Sequence, residues 1–578
     1  RFRIRCGMTI SIFFVIYALF LNTIYAFDKN QANNKYGIHL AQPHLEDLQK
    51  SKELVNSNGG DWGYVILVLQ ENDRDKNKWQ EIFDKVREFH LIPIIRLATV
   101  PQADKWRRPN KEDAESWVNF LDSLHWVVKD RYVILFNEPN HGAEWGGEVD
   151  ANNYAEVAIT FAKKLREKSQ DFFVMLAGFD ASAPNSLPYY QDEAAFVDQF
   201  FSNIAIEQFN NLFSGLASHS YPNPGFSGSP HDIGRGSIRT YDWELSLLKQ
   251  LGAKDLPVFI TETGWKRGNE QTISEYFKLA FTKVWLPDEK VVAVTPFVLD
   301  YQGAPFLNFS WKKYQNNEFY PQFYTVQSLS KIKGDPIQLE KGEINFDPPK
   351  ELVAHSSFHF TVKLKNLGQG VWDKEYGYQL SVVSPELEQA RLRVNDQDKS
   401  FEYFFSDLKG VKPFGETEVD FYLKTNGILG KRKVQIVLEK NGQPILDNIV
   451  WQYETVPLPS LNFRVNLLPK LRSNGDNFEI QIFNENEEIV FKKKGLIVKG
   501  GQGKVDEVKN LVLGRKYRIV VLKQYYLPRQ GFITFNKGVN KLKFERMLPF
   551  DFNPDGKLDL EDIWTLLKEP KSFILLFP

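Results

Sequence analysis

Eight short apolar runs alternate with amphipathic stretches over the first half of this chain. The stretches between the runs, such as 78–90 and 152–168, have the apolar spacing of surface helices. Alternating strands and helices predict a parallel sheet covered by helices, and eight repeats over roughly 250 residues predict a closed (β/α)8 TIM barrel. An open doubly wound sheet is the alternative, but no glycine-rich phosphate loop follows the first run. The runs occupy 36–40, 64–69, 92–98, 132–136, 172–179, 215–221, 257–262 and 291–299.

The pattern changes after about residue 335. Strand-like runs separated by Gly, Asn and Pro turns extend over 351–455, and a second all-β stretch covers 462 to about 547. Such runs predict antiparallel β-sandwiches. The stretch VKLKNLGQGVWDKEYGYQL, with Trp372 expected to be buried, resembles the Ig-like modules appended to secreted bacterial enzymes.

The first 26 residues predict export. A basic start precedes an apolar centre and a small residue, Ala26, in the order of a secretory signal. The apolar stretch is also about long enough for a membrane anchor, so attachment to a membrane or cell surface stays open. Cys6, the only cysteine of the chain, lies here, so the rest of the chain forms no disulfide and no thiolate metal site. We expect a secreted or surface-associated protein.

The charge balance argues against a nucleic-acid partner. Lysine plus arginine number 72 against 73 for aspartate plus glutamate. A chain with no basic excess lacks the electrostatic attraction that phosphate backbones and anionic membranes provide.

Two of the eight runs end in a glutamate. ILFNEPN at 134–140 carries Glu138 at the end of the fourth run, and VFITETGW at 258–265 carries Glu262 at the end of the seventh. In a barrel, the carboxyl ends of all strands meet at one mouth, so both carboxyl groups would face each other there. Two such groups flanking one bond are what glycoside hydrolysis needs.

The NEP motif, the later ITETGW and the HSY between them resemble clan A retaining glycoside hydrolases, which include cellulase-like family five. The resemblance covers the barrel. It implies that Glu138 is the general acid/base, that Glu262 is the nucleophile, and that a β-linked polysaccharide or oligosaccharide is hydrolysed by double displacement without a cofactor. It also implies substrate-binding roles for further residues, namely Asn137, His219, Tyr221 and Arg96. Trp265 and Trp145 are expected to bind substrate as sugar-stacking platforms, because the C–H face of a sugar packs well on an aromatic ring.

The eighth run departs from the clan pattern. Clan members often supply a tryptophan there, whereas VTPFVLDYQG has none, and Phe297, Tyr301 or Trp311 is expected to replace it. Glu144 is a third carboxylate expected near the mouth, in contact with substrate or solvent. His39, at the end of the first run, either lines the pocket or is structural.

The segment DFNPDGKLDLED at 551–562 has the spacing of a calcium loop. Oxygen side chains fall at positions one, three, five, nine and twelve, a glycine falls at six, and Lys557 offers its carbonyl at seven. Aspartate rather than glutamate at position twelve resembles dockerin modules, which implies a cohesin-like partner, although a single loop is present where dockerins carry two. The expected Ca²⁺ ligands are Asp551, Asn553, Asp555, Lys557, Asp559 and Asp562.

Together these observations predict a (β/α)8 TIM barrel, two β-sandwich domains and a short EF-hand or dockerin-like segment. The expected domains are 1–26, 27–335, 336–456, 457–547 and 548–578. The expected function is that of a retaining glycoside hydrolase. The alternative is a non-catalytic cell-surface protein that binds glycans or mediates adhesion on a barrel scaffold.

Overall fold

A computed structural model of the chain describes residues 31–383, 402–469 and 474–574. The predicted export signal and Cys6 lie outside the described residues. The chain divides into two compact units between Leu339 and Glu340. Within the described ranges, no helix combines the length and apolarity that a membrane crossing requires.

The first unit is an eight-stranded parallel barrel, as the sequence predicts. Five strands pair in the order β1 to β5 and three in the order β8-β7-β6. The bridges Tyr36–Val294 and Met175–Gly215 join the two groups at both edges and close the barrel. A two-stranded hairpin, Pro101–Gln102 with Lys105–Trp106, follows the third strand. The strands are β1 Gly37–Leu40, β2 Gly63–Gln70, β3 Leu91–Ala98, β4 Arg131–Leu135, β5 Phe172–Leu176, β6 Leu216–His219, β7 Val258–Glu262 and β8 Val291–Val294.

Helices follow each strand and cover the barrel. The amphipathic stretches form them for local reasons: Asp75, Asp150 and Asn269 cap α2, α4 and α8 by accepting a backbone N–H in the first turn. The helices are α1 Leu45–Val55, α2 Lys76–Glu88, α3 Ala114–Ser123, α4 Ala151–Lys168, α5 Glu193–Phe201, α6 Ile206–Leu212, α7 Thr240–Gln250, α8 Glu270–Leu279 (continued by a π-helical turn, Ala280–Trp285) and α9 Pro321–Ser328.

Aromatic side chains fill the barrel interior. Tyr64, Tyr132, Phe173 and Phe259 come from four different strands, and their rings contact one another with centroids 5.0 to 6.4 Å apart. A packed interior of this kind leaves the carboxyl ends of the strands as the place for a polar site.

The second unit is β-rich, in agreement with the expected sandwiches. Its strands are β9 Gly342–Asn345, β10 Glu351–Val353, β11 Ser357–Asn366, β12 Tyr378–Val383, β13 Glu402–Phe405, β14 Glu416–Lys424, β15 Gly430–Lys440, β16 Gln443–Pro444, β17 Ile449–Val456, β18 Ser460–Arg464, β19 Gly475–Phe483, β20 Ile489–Val498, β21 Gln502–Val505, β22 Lys516–Lys523, β23 Tyr525–Thr534, β24 Val539–Lys543 and β25 Pro549–Asp551. Trp372 is fully buried, as expected. Two helices follow, α10 Leu560–Lys568 and α11 Lys571–Ile574.

These strands form two pairs of sheets. The first pair has the orders β9-β11-β14-β13 and β10-β17-β15-β12, with β16 paired to β15. The second pair has the orders β21-β18-β24 and β20-β19-β22-β23-β25. Along strands such as β11 and β19, buried and exposed side chains alternate, which is the pattern of a sheet with one face on a core.

Candidate active site

Glu138 and Glu262 meet at the carboxyl ends of the barrel strands. Glu262 is the last residue of β7, and Glu138 lies three residues beyond the end of β4. The backbone at Glu138 has a φ of 31°, a region that non-glycine residues rarely adopt, and its N–H donates to Gly178 O at 3.1 Å. A sparsely populated backbone conformation of this kind is typical of functional sites.

His219, the last residue of β6, lies between the two carboxyl groups. Its Nδ1 is 2.7 Å from Glu138 Oε1 and 3.9 Å from Glu262 Oε2. Within the described part of the chain, these three side chains form the one group of three metal-capable residues whose ligand atoms come within 4.8 Å of one another. The 2.7 Å contact is a direct hydrogen bond, so the arrangement is that of two carboxyl groups joined by an imidazole.

The pKa of His219 is raised to about 9. Burial alone would lower it, but the charge of Glu262 and the hydrogen bond and charge of Glu138 outweigh burial, while Arg96 acts in the opposite direction. His219 is therefore a cation near neutral pH, and its Nδ1–H donates to Glu138.

Two further side chains, Tyr221 and His39, lie beside Glu262. Tyr221 donates its hydroxyl to Glu262 Oε2 at 3.1 Å, and His39 Nε2 is 3.6 Å from Glu262 Oε1. Burial, followed by the charges of Arg96 and His219, holds the pKa of His39 well below its ordinary value. His39 is therefore neutral, which answers the open question of its place: it lies in the mouth and contacts Glu262.

Asn137, Glu144 and Arg96 form the next layer of the site. Burial raises the pKa of Glu144 to about 7, with the charge of Glu138 adding to the effect and Arg96 and a hydrogen bond from Asn137 opposing it. Asn137 Oδ1 is buried and has no hydrogen-bond partner among the described residues. An unpaired buried acceptor is costly unless a ligand donates to it, so Asn137 Oδ1 is available to a hydrogen-bond donor of a bound ligand.

Gly178 makes room for His219. A Cβ atom built on Gly178 would lie 2.2 Å from His219 Cδ2, which no side chain can satisfy without movement. The same residue accepts the Glu138 N–H through its carbonyl. Gly178 thus sets the separation of His219 and Glu138, a role that no sequence motif indicated.

The structure corrects the expectation that Trp145 and Trp265 stack on a sugar. Trp145 is fully buried against Phe136 and Tyr154, and Trp265 is 5% exposed, packs on Phe277 and donates its Nε1–H to Gly228 O at 2.8 Å. Both rings are covered by protein, so neither offers a face to a substrate.

Of the three substitutes for the missing tryptophan, Phe297 lies at the site. Its ring meets His39 edge-on with centroids 5.0 Å apart, whereas Trp311 is buried beside Phe277. Tyr301 lies farther out and contacts the exposed Phe306, which in turn contacts Phe297. An aromatic wall, defined as Phe297, Tyr301 and Phe306, therefore extends from the Glu262 side of the mouth.

Sequence reasoning missed His141 and Asp180. His141 Nε2 is 2.8 Å from Asp180 Oδ2, and its Nδ1 is 3.9 Å from Glu138 Oε2. The signal was present, because His141 directly follows NEPN and Asp180 follows the fifth run, and loops after adjacent parallel strands meet at the same edge of a barrel.

The predicted calcium ligands extend from Asp551, the last residue of β25, through the following loop to Asp562 in the first turn of α10. Asp551 and Asp562 are 2% and 4% exposed. Burial raises the pKa of Asp551, and the charges of Asp562 and Asp555 add to the effect. Asp562 accepts the N–H groups of Phe552 and Asp559, and the Asp559 side chain accepts the N–H of Glu561 at the start of α10.

Mutually repelling, buried carboxylates are the donor set that a hard cation such as Ca²⁺ suits, so the loop fits the ion chemically. The remaining expected ligands, Asn553 and Lys557, lie in the same loop. Calcium binding stays a prediction, as does the cohesin-like partner.

No protein-family model and no curated protein matches this chain. Among solved structures, it is similar to a triple mutant of an endo-β-1,4-glucanase from Xanthomonas axonopodis pv. citri, at 14% identity over 51% of this chain and 98% of that one, with a TM-score of 0.37. A GH128 endo-β-1,3-glucanase from Sorangium cellulosum shares 13% identity over 51% and 98% (TM-score 0.35), and a β-mannanase from Thermomonospora fusca 13% over 52% and 92% (TM-score 0.33). These neighbours are glycoside hydrolases, but similarity at this level carries no argument about chemistry.

Proposed function

We propose that the barrel is a retaining glycoside hydrolase acting on a β-linked polysaccharide or oligosaccharide. The observation that carries the proposal is the approach of Glu138 and Glu262, which have carboxyl oxygens within 4.8 Å of each other. Retaining enzymes place their carboxyl groups about 5–5.5 Å apart, whereas inverting enzymes leave roughly 6.5–9.5 Å for a water molecule. The separation here favours direct attack by a carboxylate.

In the first step, Glu262 attacks the anomeric carbon while the glycosidic C–O bond breaks and the proton of Glu138 passes to the leaving oxygen. The Tyr221 hydroxyl, at 3.1 Å, and the His219 cation, at 3.9 Å, lie beside the Glu262 carboxyl group and orient it for this attack. In the second step, water attacks the same carbon, the bond to Glu262 breaks, and the water proton returns to Glu138.

The lining of the mouth supports a carbohydrate as the substrate. Asn137 offers an unpaired acceptor and Glu144 a carboxyl group, while the aromatic wall offers apolar surface. Sugars need both, because their hydroxyl groups form hydrogen bonds and their C–H faces pack on aromatic rings.

The test is hydrolysis by the full chain of β-glucans, β-mannans and xylans, followed by NMR of the first-formed anomer. The proposal predicts a product with the same anomeric configuration as the substrate. An inverted product would refute the retaining mechanism. Glycan binding without turnover by a folded protein would instead favour the non-catalytic surface protein.

We also propose Ca²⁺ binding by the loop 551–562. The support is the pair of buried aspartates, Asp551 and Asp562, whose mutual repulsion a cation would relieve. Calorimetric titration of the chelator-treated full chain with Ca²⁺ should show one site that Asp551→Ala removes. Equal heats for the wild type and the variant would contradict this proposal.

Export is proposed from the basic-apolar-small order of residues 1–26. Fractionation of cells that express the full chain tests it: the proposal predicts the protein in the medium or at the cell surface. Recovery in the cytoplasm alone would contradict it.

A further inference from the structure

A histidine–aspartate pair faces the acid/base carboxyl group from the side opposite His219. His141 Nε2 donates to Asp180 Oδ2 at 2.8 Å, and the other ring nitrogen, Nδ1, is 3.9 Å from Glu138 Oε2. The two oxygens of Glu138 therefore differ, because Oε1 is hydrogen-bonded to His219 at 2.7 Å and Oε2 is not. Oε2 is the oxygen left free to exchange a proton with a substrate.

The pair is held in place by the last residue of the NEPN motif. Asn140 is fully buried, donates to Asp180 O at 2.9 Å and accepts the Asp180 N–H at 3.2 Å. Asp180 Oδ1 accepts the N–H of Ser182 at 2.8 Å, which leaves Oδ2 directed at His141. Because Asn140 locks the loop after β4 to the loop after β5, the imidazole is fixed by backbone as well as side-chain contacts.

We propose, on the basis of the function proposed above, that His141 is a positioning residue for proton transfer at Glu138 Oε2, and that Asp180 holds its imidazole for this task. When Glu138 gives its proton to the leaving oxygen, negative charge appears on the carboxyl group. The imidazolium of His141 then stabilises that charge until the proton of the attacking water replaces it.

The charges around His141 support a cationic imidazole. Burial alone would lower the pKa of His141, but the hydrogen bond to Asp180 and the charges of Glu138, Asp180 and Glu144 outweigh it and raise the pKa. Burial opposes ionisation of Asp180 as well, yet the hydrogen bonds from His141 and Ser182 lower its pKa below the ordinary value. Tyr190 meets the ring edge-on, with centroids 4.9 Å apart.

The test compares His141→Gln and Asp180→Asn with the wild type in the pH profile of kcat/KM. Removal of positive charge beside Glu138 makes its proton harder to remove, so the alkaline limb should move to higher pH, by about half to one unit in His141→Gln. Asp180→Asn removes the carboxylate that holds the proton on His141, so it should shift the limb in the same direction by a smaller amount. Near neutral pH, kcat should fall about three- to ten-fold, with KM changed less than about two-fold.

His90→Gln is the matched control. His90 Nδ1 is 3.0 Å from Asp61 Oδ1 in the same barrel, with side chains 16% and 21% exposed against 23% and 28% for His141 and Asp180. Asp61 and His90 precede β2 and β3, at the end of the barrel away from the two glutamates. This variant loses a comparable pair and should keep the wild-type pH profile.

The outcomes separate the two proposals. If the wild type hydrolyses glycans and the variants keep its pH profile, the inference is overturned, whether or not the variants lose rate. The proposed function would still stand in that case. A wild type without hydrolysis would overturn both. Thermal unfolding shows which variants fold. If His141→Gln does not fold, Asp180→Asn still allows the inference to be refuted.

Discussion

Two pairs of glutamates lie beside β6, one on each face of the strand, and their surroundings differ. Glu138 and Glu262 are on the His219 side, where His219, Tyr221 and His39 contact their oxygens. On the Ser218 side, the buried carboxyl groups of Glu193 and Glu244 interact with each other, and Ser218 hydrogen-bonds to Glu244. Glu193 and Glu244 line a cavity of about 30 Å³ whose other walls are mostly apolar.

The difference separates two kinds of buried carboxyl pair. Burial raises the pKa of Glu193 and that of Glu244, the latter to about 7, and the charge of Glu244 adds to the effect on Glu193, so the pair holds a proton more strongly than ordinary glutamates do. In the mouth, Tyr221 donates to Glu262, and the His219 cation lies between Glu262 and Glu138. Burial alone makes a weak acid, whereas these neighbours suit the nucleophile and proton-carrier roles that we propose for Glu262 and Glu138.

Removal of either mouth glutamate should give the largest effect. Glu262→Ala should lower kcat by about 10⁴-fold or more, because no other carboxylate replaces the nucleophile. Glu138→Ala should lower it about 10²- to 10⁴-fold on natural glycans and less on aryl glycosides, whose leaving group needs no proton. Steady-state kinetics with both substrate classes measure this. An active Glu262→Ala variant would rule out the nucleophile assignment.

Gly178→Ala should have the next largest effect. A methyl group would collide with His219 and displace the imidazole from Glu138, and misplacement by about 1 Å costs roughly 10²-fold in rate. Kinetics on the folded variant check this, with Gly303→Ala as the control, since a Cβ at Gly303 meets no atom within 4 Å. Full activity of Gly178→Ala would show that the His219 position is not critical.

Tyr221→Phe should have a smaller effect. The variant loses one hydrogen bond to Glu262, and a bond to a charged group is worth about 1.5–3 kcal/mol, so kcat should fall about ten- to one-hundred-fold. The lost hydrogen bond slows the first chemical step, the attack by Glu262. The fall in kcat should therefore be largest for aryl glycosides with poor leaving groups. A wild-type rate would indicate that Tyr221 serves packing alone.

Glu244→Gln should leave activity near the wild-type level and change the pH dependence of stability. The protonated pair contributes stability that is fully present below the ordinary glutamate pKa of 4.5 and is lost as pH rises through the raised folded-state pKa. The unfolding midpoint of the wild type should therefore fall between about pH 5 and 8, and that of the variant should fall less. Parallel curves would contradict a neutral buried pair.

The barrel was predictable because its signal is local and repeated eight times. Glu138 and Glu262 followed from strand-end motifs together with the rule that parallel strands end at one edge. Trp145 and Trp265 were assigned wrongly, since sequence indicates an aromatic ring near the mouth but not which neighbours cover its faces. His141, Asp180 and Gly178 were missed because their roles depend on contacts between loops and strands that are distant in the chain.

The most direct test of the central claim is to trap the covalent intermediate. Activated 2-deoxy-2-fluoro β-glycosides, matched to the glycan that the full chain hydrolyses, should form a stable adduct that peptide mass spectrometry assigns to Glu262. Glu262→Ala, which lacks the attacking carboxylate, should form none. Labelling at another residue, or none while hydrolysis proceeds, would contradict the proposed double displacement.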